Sequence, residues 1–136
     1  MLSSEKIARL QSFLFGATGL ICMLYSLLVV FTGQPDPMPW WLPGSAGLLS
    51  AVLIFSKFHR ADPVSVQQAT DELFKRNAAI APRFGFWSAL LLYPFFGFLI
   101  ATDVISLTLA FPIMGTLTAA AYLLSFTILS EWPSAG

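Results

Sequence analysis

The side chains that could do acid–base chemistry in this chain lie mainly between residues 57 and 83. This segment holds the one histidine of the chain, His59, together with Asp62 and Arg83. Catalysis needs a nucleophile with a base, or a metal with its ligands, and the segment carries no motif for either. It also has no glycine-rich phosphate loop and no zinc-ligand spacing. We therefore predict no catalytic residue, no metal site and no cofactor, and we interpret His59 as an interfacial or solvated side chain.

The other charges of this segment fit a surface role. Asp71 and Glu72 precede Lys75 and Arg76 at a spacing that pairs opposite charges on one face of a helix. Basic side chains there can also meet anionic lipid headgroups. We predict an exposed charged segment suited to docking, whose candidate contact residues are His59, Arg60, Lys75, Arg76 and Arg83.

Small residues recur at helical spacing in three apolar stretches of the sequence. They are Gly16 and Gly19 in the first, Gly44 and Gly47 in the second, and Gly115 and Ala119 in the last. Small side chains let helix backbones approach closely, which matters in a bilayer because lipid removes the hydrophobic drive between helices. We predict that these residues form helix-packing surfaces or a partner interface.

The elements that carry these residues are predicted from composition. Apolar residues make up 57% of the 136 residues and charged residues only 10%, against about 25% charged in ordinary soluble domains. A membrane-spanning helix needs about 20 apolar residues, and four segments come close: about 10–32, 41–58, 84–102 and 104–130. The sequence therefore predicts one domain, residues 1–136, built as an all-α membrane protein with a four-helix bundle. The first segment is too long for the core of a signal peptide.

The connections between the segments differ in length and chemistry. Residues 33–39 are rich in proline and predict a stiff turn. The connection between the third and fourth segments is very short and consists of little more than Asp103. This predicts a tight hairpin with Asp103 as the N-cap of the fourth helix. The connection 57–83 contains Asp62 and Pro63, a helix start signal. We predict an amphipathic helix over residues 63–79 that Pro82 ends.

The basic residues predict the orientation in the membrane. All seven lie before the first segment or within residues 57–83, whereas the two opposite loops contain only Asp36 and Asp103 as charges. Lys and Arg favour the cytoplasmic side. We therefore predict two consecutive hairpins in the cell (inner) membrane with both termini in the cytoplasm. Trp132 suits the inner interface and Trp40 the outer one.

The two last segments carry further distinctive features. The third is rich in aromatic residues, which can face lipid, a neighbouring helix or a bound quinone, pigment or lipid. Pro94 and Pro112 lie inside the third and fourth segments and are expected to kink them. Two kinks in adjacent helices can open a cavity between them, or can serve packing alone.

Three functions remain open at this point. The absence of ionisable residues near the middle of any segment argues against a carboxylate-driven exporter, because such residues mark transport pathways. The leading hypothesis is a non-catalytic accessory or assembly subunit that binds membrane lipids and other membrane subunits, or itself. A transporter or channel would need a wet path lined by Thr116, Thr118, Ser125 and Thr127. A lipid- or quinone-handling enzyme would need His59, Asp62 and Arg83 beneath an apolar cavity. The net charge of zero predicts no nucleic-acid partner.

Overall fold

The structure, a computed structural model, describes residues 3–69 and 72–131. Within these residues it is all-helical, and no strand occurs. The helices are α1 (Ser4–Thr32), α2 (Trp41–Arg60), α3 (Pro63–Ala69), α4 (Glu72–Ala101) and α5 (Leu107–Glu131). α1, α2, α4 and α5 are each long and apolar enough to cross a membrane, which confirms the predicted fold class at that level. Asp71 and Trp132 lie outside the described residues.

Local signals fix both ends of α1. Ser3 is the N-cap, and its Oγ accepts a hydrogen bond of 3.4 Å from the amide of Lys6. At the other end Gly33 adopts a left-handed conformation with φ of 65°, and its amide donates to the carbonyl of Val29 at 3.0 Å. Glycine suits this position because it has no Cβ to clash in the left-handed region.

The helix predicted over residues 63–79 begins where it was expected, but Pro82 does not have the predicted effect of ending a helix. α3 starts at Pro63, and the amide of Val66 donates to the carbonyl of Asp62 at 3.0 Å. Pro82, however, lies inside α4 and does not end a helix. Asn77 and Gly85, on either side of this proline, are both buried against α5. Packing on α5 therefore keeps α4 helical on both sides of Pro82, although Pro82 has no amide to donate the usual helical hydrogen bond.

The tight connection after α4 differs from the prediction in its capping. α5 begins at Leu107, and Ser106 Oγ accepts from the amide of Leu109 at 3.3 Å, so Asp103 is not the N-cap. Asp103 instead ends α4 with φ of 57°. Its amide donates to the carbonyl of Ile100 and that of Val104 to Leu99, at 3.1 and 2.9 Å. This pair of bonds is a Schellman motif, in which the left-handed residue follows the helix.

The helices pack around α5, which contacts both α1 and α4. Ser12 near the start of α1 lies beside Glu131, and Asn77 near the start of α4 lies beside Ser130. Both neighbours therefore run antiparallel to α5. The end of the fold where α1 and α4 begin and α5 ends is called the basic end below, because Lys6, Arg9 and Lys75 flank it.

Each end of the α1–α5–α4 unit has its own buried core. At the end opposite the basic end, five buried side chains come together from the three helices: Tyr25, Val29, Phe96, Ala110 and Ile113. Tyr25 also donates a hydrogen bond of 3.1 Å to the carbonyl of Pro35 and so fixes the loop after α1. Towards the basic end the core is aromatic, with the rings of Phe15 and Phe74 both edge-on to Phe126.

α2 is the least buried of the long helices. Within Trp41–Arg60 the one buried residue is Ser50. Its Oγ lies 3.0 Å from Thr18 Oγ1 of α1, and this contact between two hydroxyls is itself buried. Most of the surface of α2 is therefore free of contacts with the described remainder of the chain.

Candidate functional site

The small residues of α1 are used inside the fold. A Cβ added to Gly16 would lie 3.2 Å from Thr127 Cγ2, and one added to Gly19 would lie 3.0 Å from the side chain of Leu124. Both glycines therefore allow α1 to approach α5 closely. On α2, Gly47 faces α1, with an added Cβ 3.8 Å from Thr18 Cγ2.

Gly115 and Gly44 are placed differently, on the outside of the fold. A Cβ added to either would meet no atom within 4 Å among the described residues. Gly115 is exposed, as is Phe111 one turn earlier, which is 76% exposed. Ala119, one turn later, is half-buried. The open notch at Gly115, bordered by Phe111, is called the Gly115 face below.

The basic end contains a group of polar side chains that lie between the helices. Gln11 and Ser12 are 6% and 5% exposed. Ser12 Oγ donates a 2.8 Å hydrogen bond to Glu131 Oε1, and Thr127 Oγ1 donates to the carbonyl of Ser12 at 3.3 Å. These bonds join α1 to α5 where the helices meet the polar edge of the fold.

Asn77 is the most buried polar residue of this group, at 1% exposure. Its Nδ2 donates to Ser130 Oγ at 3.4 Å, whereas its Oδ1 is buried without a partner among the residues that the structure describes. Turning the amide over does not help, because the hydroxyl of Ser130 already donates to the carbonyl of Phe126 at 2.8 Å. A buried polar atom without a partner costs about 1–3 kcal/mol. The burial of Asn77 Oδ1 is therefore not compensated by a hydrogen bond within the described α4–α5 contact.

An apolar groove of about 480 Å³ lies on the side of α5. Ala120, Ala121 and Leu124 of α5 form part of its lining, with Leu91 of α4 and Met23 of α1. Leu91 lies one turn before Pro94, so the groove borders one of the two prolines expected to kink the helices. The hydroxyls of Ser88 and Ser125 provide its polar contribution, and such a composition suits hydrocarbon better than a charged ligand.

The charged segment is exposed, but it forms no enclosed site with the groove. His59 and Arg60 lie at the end of α2, and Lys75, Arg76 and Arg83 lie in the first half of α4. All five side chains are exposed. The ring of His59 stacks on that of Phe55 of the same helix, with centroids 6.3 Å apart and planes inclined by 10°.

The hydroxyls proposed for a wet path mostly bond to their own helix. Thr116 Oγ1 donates to the carbonyl of Pro112 at 2.6 Å, and Thr118 Oγ1 to that of Met114 at 2.8 Å. Thr127 bonds to Leu123 and to Ser12, and Ser125 lines the apolar groove. Threonine hydroxyls bonded in this way have used their one proton, so they can only accept hydrogen bonds from a solute.

Comparison with protein-family models, with curated proteins and with solved structures found no match to this chain.

Sequence reasoning did not single out Gly85, Ser12, Glu131 or the burial of Asn77. Gly85 packs against α5, where an added Cβ would lie 3.2 Å from Tyr122 Cβ. This packing role could have been predicted, because Gly85 is a glycine inside an apolar segment, like the glycines that were singled out. The signal at Ser12 and Glu131 was weaker, because a polar residue near the end of an apolar helix is ordinarily solvated.

Proposed function

We propose that the protein is a non-catalytic accessory or assembly subunit of a cell membrane, which binds another membrane protein or a second copy of itself. The observation that carries this proposal is the Gly115 face. An exposed glycine inside a helix is about 1 kcal/mol less favourable than alanine, and Gly115 has no contact within the described fold to compensate. A helix of a partner can use the notch for the close approach that stabilises helix pairs in lipid.

The exposure of α2 supports the same proposal. Its one buried residue is Ser50, and Gly44 near its start is as open as Gly115. A helix that contributes so little to the core of its own chain is available for contact with another. In lipid the apolar surface of α2 can face hydrocarbon without penalty. The same surface can therefore bind a helix of a partner.

The proposed topology has four membrane crossings in two hairpins, α1–α2 and α4–α5. The antiparallel contacts support this arrangement, because they place the starts of α1 and α4 at the same end as the end of α5. The basic residues flank that end, so it belongs in the cytoplasm. Reporter fusions after residue 136 and within the loop at Asp36 test this orientation. A cytoplasmic signal at Asp36, or an external signal after residue 136, would contradict it.

The partner interface is tested by photo-crosslinking in intact membranes. Phe111 is replaced by a photoreactive phenylalanine analogue, which keeps an aromatic ring beside the Gly115 notch. We expect a specific crosslinked protein band, and we expect Gly115→Leu in the same chain to abolish it. The matched control is Gly97→Leu, because Gly97 on α4 is also exposed and without contacts within 4 Å.

Mass spectrometry of the band distinguishes a second copy of the chain from another membrane subunit. Either identity agrees with the proposal. Crosslinking to lipid alone, or a band that Gly115→Leu leaves unchanged, would rule out the Gly115 face as the interface.

A further inference from the structure

The first ten residues of α4, residues 72–81, lie between the α3–α4 connection and Pro82. This segment is called the α4 arm. It packs on the last turns of α5 through Phe74, whose ring centroid is 5.7 Å from that of Phe126, and through Asn77. Ala81, its last residue, is fully buried. The arm is therefore closed against α5 in this structure.

Two independent features weaken this closed position. The first is chemical. Within the described part of the chain Asn77 Oδ1 is buried without a partner, and Asn77 Nδ2 makes a long hydrogen bond of 3.4 Å to Ser130 Oγ. Water would satisfy the oxygen as soon as the arm moved away from α5, because exposed carbonyl groups are readily hydrated. The closed contact thus contains an atom that gains hydrogen bonds on opening.

The second feature is mechanical and lies in the backbone. Pro82 has no amide hydrogen, so the carbonyl of Ala78 lacks its usual helical donor at this point. Helices bend where this bond is missing. On the far side of Pro82, Gly85 is held against Tyr122, with an added Cβ only 3.2 Å away. The remainder of α4 therefore has a fixed anchor about which the arm can swing.

We propose that the α4 arm is a hinged element that opens at Pro82 as a unit, separating Phe74 and Asn77 from α5 and exposing Asn77 to water. Gly16 and Gly19 of α1 meet Thr127 and Leu124 of α5, whereas the arm meets Phe126 and Ser130. The close α1–α5 approach at the two glycines can therefore persist when the arm opens, and Phe126 can keep its contact with Phe15. The opening moves Lys75 and Arg76 of the charged segment, because both lie on the arm. This inference does not depend on the proposed accessory function.

Hydrogen–deuterium exchange on the full chain in lipid nanodiscs tests the hinge. A ten-residue helix that has left its packing partner is not stable in water, so opening as a unit releases the amides of residues 76–81 together, and they are expected to show one common protection factor. Simple fraying would give protection that rises steadily from residue 76 to residue 81. A gradient of that kind, or protection equal to that of the α1–α5 contact, would overturn the proposal.

Two substitutions test the cause of opening. Asn77→Leu keeps the branched arrangement of four side-chain heavy atoms and has no unpaired oxygen, so we expect exchange of residues 76–81 to slow at least tenfold. Ser88→Leu, a polar-to-apolar change on α4 beyond the hinge, is the matched control and is expected to leave these rates unchanged. Faster exchange in a folded Asn77→Leu protein would show that Asn77 holds the arm closed, and equal exchange would show that its unpaired oxygen does not promote opening; either result would contradict the proposal.

Pro82→Ala decides the question if Asn77→Leu does not fold. Alanine restores the amide that bonds to the carbonyl of Ala78, so the common rate for residues 76–81 is expected to fall at least tenfold. An unchanged rate would show that the arm does not open at Pro82.

Discussion

Ser12 of α1 and Glu131 of α5 are joined by a hydrogen bond of 2.8 Å, although 119 positions separate them in the chain. Ser12 is buried and Glu131 is exposed, so the bond lies at the boundary between the dry helix contact and the solvent. It fixes the register of the α1–α5 pair at the point where both helices reach the basic end.

The first prediction concerns this bond. Ser12→Ala removes the donor and is expected to lower the free energy of unfolding by about 1 kcal/mol, the usual net value of one hydrogen bond. The loss stays small because the exposed carboxylate of Glu131 can be rehydrated. Thermal unfolding in mild detergent measures the change. Glu131→Gln keeps an acceptor and is the control; a larger loss from Glu131→Gln than from Ser12→Ala would show that the carboxylate has a different stabilising contact.

The second prediction separates internal from external glycines. Gly19→Leu forces a side chain into the space where Leu124 already lies 3.0 Å from an added Cβ. Overpacking of this kind costs about 1–3 kcal/mol, so the melting temperature is expected to fall. Gly115→Leu meets open space and replaces a residue that is unfavourable inside a helix, so it is expected to raise the stability of the isolated chain by up to about 1 kcal/mol. Equal melting temperatures for the two variants would contradict the packing of α1 on α5 at Gly19.

The third prediction concerns the attachment of α2. Thr18→Val and Ser50→Ala each remove one hydroxyl of the buried pair, whose oxygens are 3.0 Å apart. A double-mutant cycle is expected to give a coupling energy of about 0.6 kcal/mol, typical of hydrogen bonds between membrane helices. Unfolding in mixed detergent provides the four free energies. Strictly additive losses would mean that the two hydroxyls do not interact.

Much of the fold was predictable because its signals are local. Long apolar runs predict the four long helices. Asp62 and Pro63 together predict the start of α3, because proline at the first position of a helix lacks an amide that would have no helical partner there anyway. Glycine after α1 likewise provides a local stop signal. None of these features depends on which helix packs against which.

The features that sequence reasoning missed depend on packing between distant segments. Gly19 and Gly115 look alike in sequence, and only the position of α5 beside α1 makes one internal and the other exposed. Asn77 lies in the segment predicted as a separate amphipathic helix that Pro82 ends; it is buried against α5 because α4 continues through Pro82. The capping around Asp103 was predicted wrongly because Ser106, three residues later, is an equally good acceptor.

The last prediction distinguishes these two roles for Asp103. If Asp103 ends α4 in the left-handed region, as its φ of 57° indicates, glycine should be tolerated there or stabilise the chain by up to about 1 kcal/mol, because the strain of a Cβ is relieved. Asp103→Val should lower the free energy of unfolding by about 1–2 kcal/mol, since a β-branched residue fits that region poorly. Ser106→Ala removes the observed cap of α5 and is expected to cost about 1 kcal/mol. Thermal unfolding of the three variants in one detergent gives the comparison. If Asp103 were the N-cap of α5, glycine would lower stability slightly and Ser106→Ala would be silent, so the opposite signs of the Asp103→Gly and Ser106→Ala effects decide between the two roles.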